Sequence, residues 1–377
     1  GKINNFSYKS NFFENIEIFG QVKDQVFDGN LVSYDNKLKL VFNGLVDFSK
    51  DLIDFDFNTI INNADLFSLG FDQSANLSGE VIVKLRGSNM KDLIGDLTVK
   101  KGKYLTSEKV FDFDNFYAQL RNSEGKRIIN ISSNDIINGI LIGEYDLYNL
   151  KPFLLNNFGN HYSNYNSINS TQTQNISFSL NLKPKFFNLL SGGLFIDENT
   201  FVKGVFSEDG TYQLNLESSK IQYNDVLLEN IELIANNKKG FINISNLKSK
   251  LINGKSFSLK SEFINDTLFI ESKYNSLAQD VNNLKFYHTI NASNKSVIGF
   301  TDLDLTVNNQ VWSLEKENTF LIPKLVFDRE FKDLQLLNAN FKNNDQFIKF
   351  SLADNIYRSD YSISFKNVSL DNFTSKK

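Results

Sequence analysis

Apolar and polar residues alternate along most of the chain, most clearly between residues 19 and 69. Leu38, Leu40 and Phe42 alternate mainly with polar residues, and the run DFDFNT (54–59) repeats the pattern. A period of two is typical of strands with one apolar face. Asp28-Gly29 and the polar break Ser49-Lys50-Asp51 predict chain reversals. The region therefore predicts a β-meander, which ends in the motif ADLFSL.

The same alternation continues to the C-terminus, with further turn signals at short intervals. Turns are predicted at Gly87-Ser88-Asn89, Lys101-Gly102, Ser123-Glu124-Gly125, Asp209-Gly210, Lys239-Gly240, Asn253-Gly254 and Asn265-Asp266. Together the segments predict about 25 antiparallel strands. Because twist accumulates and open sheets beyond about ten strands curl or split, we expect an all-β fold: a long, strongly curled antiparallel sheet with few short helices.

Curling would turn one strand face inward and create an elongated apolar groove. The alternating apolar residues are the candidate lining of this groove. They are Leu38, Leu40, Phe42, Phe55, Phe57, Val81, Val83, Leu85, Ile176, Phe178, Leu180, Leu182, Tyr212, Leu214, Leu216, Phe257, Leu259, Tyr361, Ile363 and Phe365.

Two segments interrupt the alternation. YDLYNL (145–150) and VSLDNF (368–373) are similar to ADLFSL (64–69), and the shared Asp predicts a short turn or single helical turn. Residues 156–175 are rich in Asn, Ser, Thr and Gln, which predicts a mobile polar loop. The loop would separate a first β-groove segment, 1–155, from a second, 176–377.

The amino-acid composition argues against several classes of function. The chain has 36 Phe and 14 Tyr but only 3 Pro, which suits extensive strands, although an AT-rich genome also favours Phe, Asn, Lys and Ile. A net charge of −4 makes nucleic acid an unlikely partner. The absence of Cys excludes disulfides and thiolate metal sites.

Residues with candidate chemistry do not form a convincing active site. Gly254-Lys255-Ser256 has the end of a phosphate-loop motif, but Ser249 stands where the leading Gly belongs. The pairs Asp54/Asp56, Asp112/Asp114 and Asp302/Asp304 would place carboxylates on one strand face, where a solvated surface is favoured over a calcium site. His161 and His288 have no motif that joins them to a nucleophile. We expect no enzyme activity, no cofactor and no metal.

The order of the motifs resembles a known family. DGNLVSYDNKLKLVFNGLVDFSKDLIDFDFNTIINNADLFSLG, LSGEVIVKLRGSNMKDLIGDLTVKKGKY and YHTINASNKSVIGFTDLDLTVNNQVWSLEKEN are similar to TamB-like, AsmA-superfamily proteins of Bacteroidota, and the resemblance ends at SISFKNVSLDNF. It implies a periplasmic β-groove in a Gram-negative cell envelope. It also implies an inner-membrane helix and a region contacting an Omp85-type, TamA-like outer-membrane barrel, and we expect both to lie outside this sequence.

Three functions remain open. The first is a conduit that moves phospholipid-like molecules between the inner and outer membranes, with acyl chains in the groove and headgroups in water. The second is a scaffold for outer-membrane protein insertion. The third is a secreted structural β protein.

Overall fold

The fold is taken from a computed structural model. It describes residues 1–9, 11–71, 74–89, 92–107, 109–168, 174–186, 194–249, 253–276, 281–307, 310–315, 322–328, 333–354 and 358–368.

The described residues contain 25 strands joined in antiparallel ladders. The first thirteen are β1 (Lys2–Tyr8), β2 (Asn11–Lys23), β3 (Val26–Tyr34), β4 (Leu38–Asp47), β5 (Ile53–Asp65), β6 (Asn76–Gly87), β7 (Ile94–Leu105), β8 (Val110–Ser123), β9 (Lys126–Ser132), β10 (Ile137–Glu144), β11 (Asn175–Leu182), β12 (Leu194–Ile196) and β13 (Thr200–Phe206). The remainder are β14 (Tyr212–Tyr223), β15 (Val226–Asn236), β16 (Lys239–Lys248), β17 (Asn253–Ile264), β18 (Thr267–Ser276), β19 (Val281–Ile290), β20 (Ser296–Val307), β21 (Gln310–Leu314), β22 (Lys324–Phe327), β23 (Leu334–Asn343), β24 (Gln346–Asp354) and β25 (Ser359–Lys366).

Helical structure is short. A 3-10 helix, Leu147–Asn149, leads directly into α1, Leu150–Gly159. The all-β, antiparallel fold with few short helices is therefore confirmed.

The chain divides into two compact units. Unit 1 contains Gly1–Asp146 and Gln174–Lys203, and unit 2 contains Leu147–Thr173 and Gly204–Lys377. The predicted boundary followed polar composition at 156–175. The structure instead assigns α1 to unit 2 and returns the chain to unit 1 for β11 and β12, because β11 pairs with β10.

Some predicted turns are confirmed, and their polar side chains explain them. At Ser49-Lys50-Asp51 the Asp47 carboxylate accepts hydrogen bonds from the Ser49 amide (2.8 Å) and hydroxyl (2.5 Å) and pairs with Lys50 (2.9 Å). The hydrogen bonds from Ser49 and Lys50 lower the pKa of Asp47 to about 2. Asn265-Asp266 also turns, with positive φ angles at both residues.

Four predicted turns lie inside strands. Two of them, Lys239-Gly240 and Asn253-Gly254, are the first residues of β16 and β17. Asp28-Gly29 lies inside β3, and the chain reverses at Asp24-Gln25 instead. Lys101-Gly102 lies inside β7, where Lys101 has a φ of 48°. A glycine within a strand commonly marks a bulge or a close backbone approach rather than a reversal. Gly29 fits this explanation, because a Cβ there would collide with the Phe19 carbonyl oxygen.

The Asp-Leu motif forms the predicted turn in its first copy. Asp65 accepts hydrogen bonds from the amides of Phe67 (3.1 Å) and Ser68 (3.3 Å), and the Leu69 amide donates to the Asp65 carbonyl. The second copy coincides with the 3-10 helix. In the third copy, residues 369–373 lie outside the described residues.

Residues 156–168, the described part of the predicted polar loop, pack against the rest of unit 2. Residues 156–159 belong to α1, and residues 160–168 make hydrogen bonds to the turns of unit 2. The prediction counted polar side chains and overlooked the aromatic anchors Phe158, Tyr162 and Tyr165. Residues 169–173 lie outside the described residues.

Candidate functional site

In unit 1 the antiparallel register places the candidate lining residues on one sheet face. Directly paired residues share a face, as do alternate residues within a strand. One cross-strand row runs Gly44, Phe57, Val83, Leu97, Ala118, Ile131, Gly139, Leu180. The next row runs Val46, Phe55, Leu85, Gly95, Leu120, Ile129, Leu141, Phe178. We call this surface the unit 1 apolar face.

Aromatic rings hold part of this face together. The ring centroids of Phe27 and Phe42 are 5.8 Å apart, and those of Phe42 and Phe57 are 5.0 Å apart. Phe55 meets Phe57 edge-on at 6.5 Å. Such pairs add stability of about 0.5–1.5 kcal/mol each beyond the apolar area that they bury. They also make a continuous hydrocarbon surface across β3, β4 and β5.

Unit 2 has an equivalent surface, the unit 2 apolar face. One row runs Leu216, Leu233, Ile242, Leu259, Ser272, Leu284, Leu303. Another runs Leu268, His288, Ile298, Leu325, Leu336, Leu352, Tyr361. The predicted residues of unit 2 therefore share a face, and polar residues such as Ser272 and His288 interrupt it.

Most of the candidate lining residues are partly exposed. Val83, Ile176 and Leu182 are buried, whereas Tyr361, Ile363 and Phe365 on the last strand are exposed, and the others are intermediate. A closed core would bury most of them completely. Both apolar faces therefore remain partly accessible to solvent along their length.

The opposite face of unit 1 carries charges. Arg86 clamps the Asp54 carboxylate through Nε and Nη2, which lowers the pKa of Asp54. A cavity of about 1100 Å³ lies over this face, between its charged residues. Asp56, Lys84 and Asp96 form a cross-strand row in its wall. No local sequence motif marks this cavity.

A segment of unit 2 covers one end of its own apolar face. We call residues 158–166 the covering segment. The Phe158 ring meets that of Tyr212 at 4.9 Å, and the Tyr162 ring meets that of Phe263 at 5.0 Å. The predicted lining residue Tyr212 is therefore covered rather than open.

Hydrogen bonds fix the covering segment to the end of β19 and to the turn between β17 and β18. The Tyr162 hydroxyl lies 2.7 Å from His288 Nδ1. The Ser163 hydroxyl donates to Asp266 at 2.9 Å, and the Asn164 amide donates to the Ile290 carbonyl at 2.9 Å. Burial lowers the pKa of His288 and raises that of Tyr162, so the pair is neutral near pH 7. No local sequence motif indicates this contact between the two residues.

Beneath the covering segment is a cavity of about 270 Å³. Aromatic rings of Phe158, Tyr212 and Phe263 line it together with His161. The Nε2 atom of His161 is buried without a hydrogen-bond partner, and burial lowers the pKa of the ring. The cavity is smaller than the roughly 300–1,000 Å³ of typical ligand pockets.

The other candidate motifs occupy ordinary structural positions. Gly254-Lys255-Ser256 lies at the start of β17 rather than in a phosphate-binding loop. Within the described residues, no group of three His, Asp or Glu side chains is arranged to hold a metal ion. No helix in the described part of the chain is long and apolar enough to cross a membrane.

Comparisons with family models, with curated proteins and with solved structures found no match to this chain.

Proposed function

We propose that the chain is a lipid conduit of the cell envelope, in which the two apolar faces carry acyl chains between the inner and outer membranes. One observation carries the proposal: the apolar residues of many separate strands share a face in each unit and stay partly exposed. Such a face presents apolar side chains that are not fully buried within the fold and can therefore contact an acyl chain. The TamB-like resemblance points to the same periplasmic role, without enzymatic chemistry.

The energetic reason is the cost of moving lipids through water. Exposing two chains of about 16 carbons costs on the order of 25 kcal/mol, at about 0.8 kcal/mol for each CH₂. An apolar face removes most of that cost. Many similar Phe, Leu and Ile contacts, rather than one deep pocket, let a chain advance without being trapped.

A lipid-labelling experiment tests this proposal. A photoreactive amino acid at position 57 faces the apolar rows, whereas one at the neighbouring position 58 faces the opposite surface. Lipids co-purified with the chain and identified by native mass spectrometry should crosslink at Phe57 and not at Asn58. Equal labelling at both positions, or no lipid in the purified protein, would contradict the conduit.

A scaffold for outer-membrane protein insertion is the second candidate, and the last strand favours it. Within the described residues β25 pairs on one side only, with β24. Its apolar residues Tyr361 (80%), Ile363 (52%) and Phe365 (56%) are exposed. An open edge with alternating apolar residues can accept another strand through backbone hydrogen bonds. A photoreactive group at position 363 should then label an added outer-membrane β-hairpin peptide, and labelling only by lipid would favour the conduit.

A further inference from the structure

A buried cation, Arg127, lies on the unit 1 apolar face. Arg127 on β9 pairs with Gly143 on β10, and Gly143 pairs with Ile176 on β11. Arg127 therefore shares a face with Ile129, its neighbour two residues along the strand. It lies beside the Glu124-Gly125 turn, at the end of the strands.

Two nitrogens of this guanidinium have no hydrogen-bond partner. Arg127 is only 5% exposed, and its Nε and Nη2 atoms make no hydrogen bond within the described residues. Arginine does not lose its charge in proteins. A buried charge without a counter-charge or hydrogen bonds is among the costliest features that a fold can contain. The Nε and Nη2 atoms therefore lack an acceptor.

A second donor beside Arg127 has the same deficiency. The Tyr145 ring centroid lies 5.9 Å from the guanidinium carbon, and the Tyr145 hydroxyl is buried without a partner. Burial raises the pKa of Tyr145 to about 12, although the Arg127 charge acts in the opposite direction. The hydroxyl is therefore protonated near pH 7 and able to donate.

The contacts of Arg86 indicate which ligand the Nε and Nη2 atoms of Arg127 are suited to bind. Its Nε and Nη2 atoms hold the two oxygens of Asp54, with Nη2 2.9 Å from Oδ2. The same two nitrogens are unpaired in Arg127. This edge of a guanidinium matches two oxygens of a carboxylate or phosphate.

We propose that Arg127 and Tyr145 form a binding site for the anionic headgroup, phosphate or carboxylate, of a lipid whose chain lies along Ile129, Leu141 and Phe178. The proposal rests on the proposed conduit and adds a headgroup preference to it. The position suits an amphiphile, because Arg127 lies at the strand ends while the apolar row continues along the sheet. Entry of the anion requires the Tyr145 ring to turn away from the guanidinium.

The test compares three probes on the full chain: a monoacylglycerol phosphate, the neutral monoacylglycerol with the same acyl chain, and inorganic phosphate. The wild type should bind the phosphate lipid about ten- to a hundredfold more tightly than the neutral one. This is the gain expected when two guanidinium nitrogens donate hydrogen bonds to a charged phosphate. Arg127→Met should abolish this preference. Arg127→Lys should restore part of it, since an ammonium keeps the charge but lacks the fork. Tyr145→Phe should reduce it several-fold.

Arg86→Met is the matched control, because it removes the same charge on the opposite face and should keep the preference. Thermal unfolding distinguishes a binding residue from a structural one: Arg127→Met should be at least as stable as the wild type, because it removes an unpaired buried charge. An equal affinity of the wild type for both lipids, or a preference that survives Arg127→Met, would overturn the headgroup site while leaving the conduit intact. Tight binding of inorganic phosphate without a preference between the lipids would overturn the lipid assignment. Failure to bind the neutral lipid would refute the conduit itself.

Discussion

A negative charge on the unit 1 apolar face should block lipid binding with only moderate loss of stability. Phe178 on β11 pairs with Leu141 and lies in the row that includes Phe55 and Leu85. Removing a large side chain from a closed core costs about 3–5 kcal/mol. Because Phe178 is partly exposed, we expect Phe178→Glu to cost about half of that, roughly 2 kcal/mol. The new carboxylate can reach water at the open side of the face, so the full penalty for burying a charge does not apply.

Ser177→Glu is the matched control. Ser177 is the preceding residue on the same strand, is exposed and faces the opposite side, so the variant adds an equal charge where lipid does not bind. Its free energy of unfolding should change by less than about 0.5 kcal/mol.

The assay combines urea unfolding with crosslinking to a photoreactive fatty acid. Phe178→Glu should retain the folded state and lose crosslinking on the unit 1 apolar face, and Ser177→Glu should retain both. The reasoning is refuted if Phe178→Glu unfolds the protein and the wild type never crosslinks to lipid, since the face would then be an ordinary core.

Four further outcomes follow from the unit 2 contacts and the strand content. Tyr162→Phe removes the hydroxyl that meets His288 and should cost about 1 kcal/mol in thermal unfolding, whereas Tyr223→Phe, at an exposed position, should be neutral. Burial lowers the pKa of His161 and His288 below the ordinary value of 6.5, so the unfolded chain binds more protons. Stability should therefore fall as pH drops below about 6.5, and a urea midpoint that is unchanged between about pH 7 and pH 5.5 would contradict this. Limited proteolysis should spare residues 158–166 while the protein is folded, and early cleavage there would show that the covering segment is loose. Helical content by circular dichroism should stay well below a quarter.

The sequence alone was sufficient to predict the fold class and the faces of the strands. Alternation of apolar and polar residues specifies which side chains share a face, because side chains in a strand point to opposite sides in turn. That local rule places Phe55 and Phe57 on one face, and likewise Phe178 and Leu180. The strand register shows the same arrangement. Turns that depend on a local side chain, as at Asp47 and Ser49, were also predictable. Gly29 was not, because its role depends on a neighbouring strand.

Tertiary structure decided the features that depend on contacts between distant residues. Tyr162 and His288 are 126 positions apart, and nothing near either residue in the sequence indicates the other. The polar composition of residues 156–168 did not indicate a covering segment. Burial of a few aromatic side chains against a complementary surface offsets the entropy cost of ordering the polar residues around them. Arg127 looked like an ordinary strand residue, and only its burial without a partner identified it as a candidate site. Whether a charge is solvated or unpaired depends on what surrounds it in three dimensions.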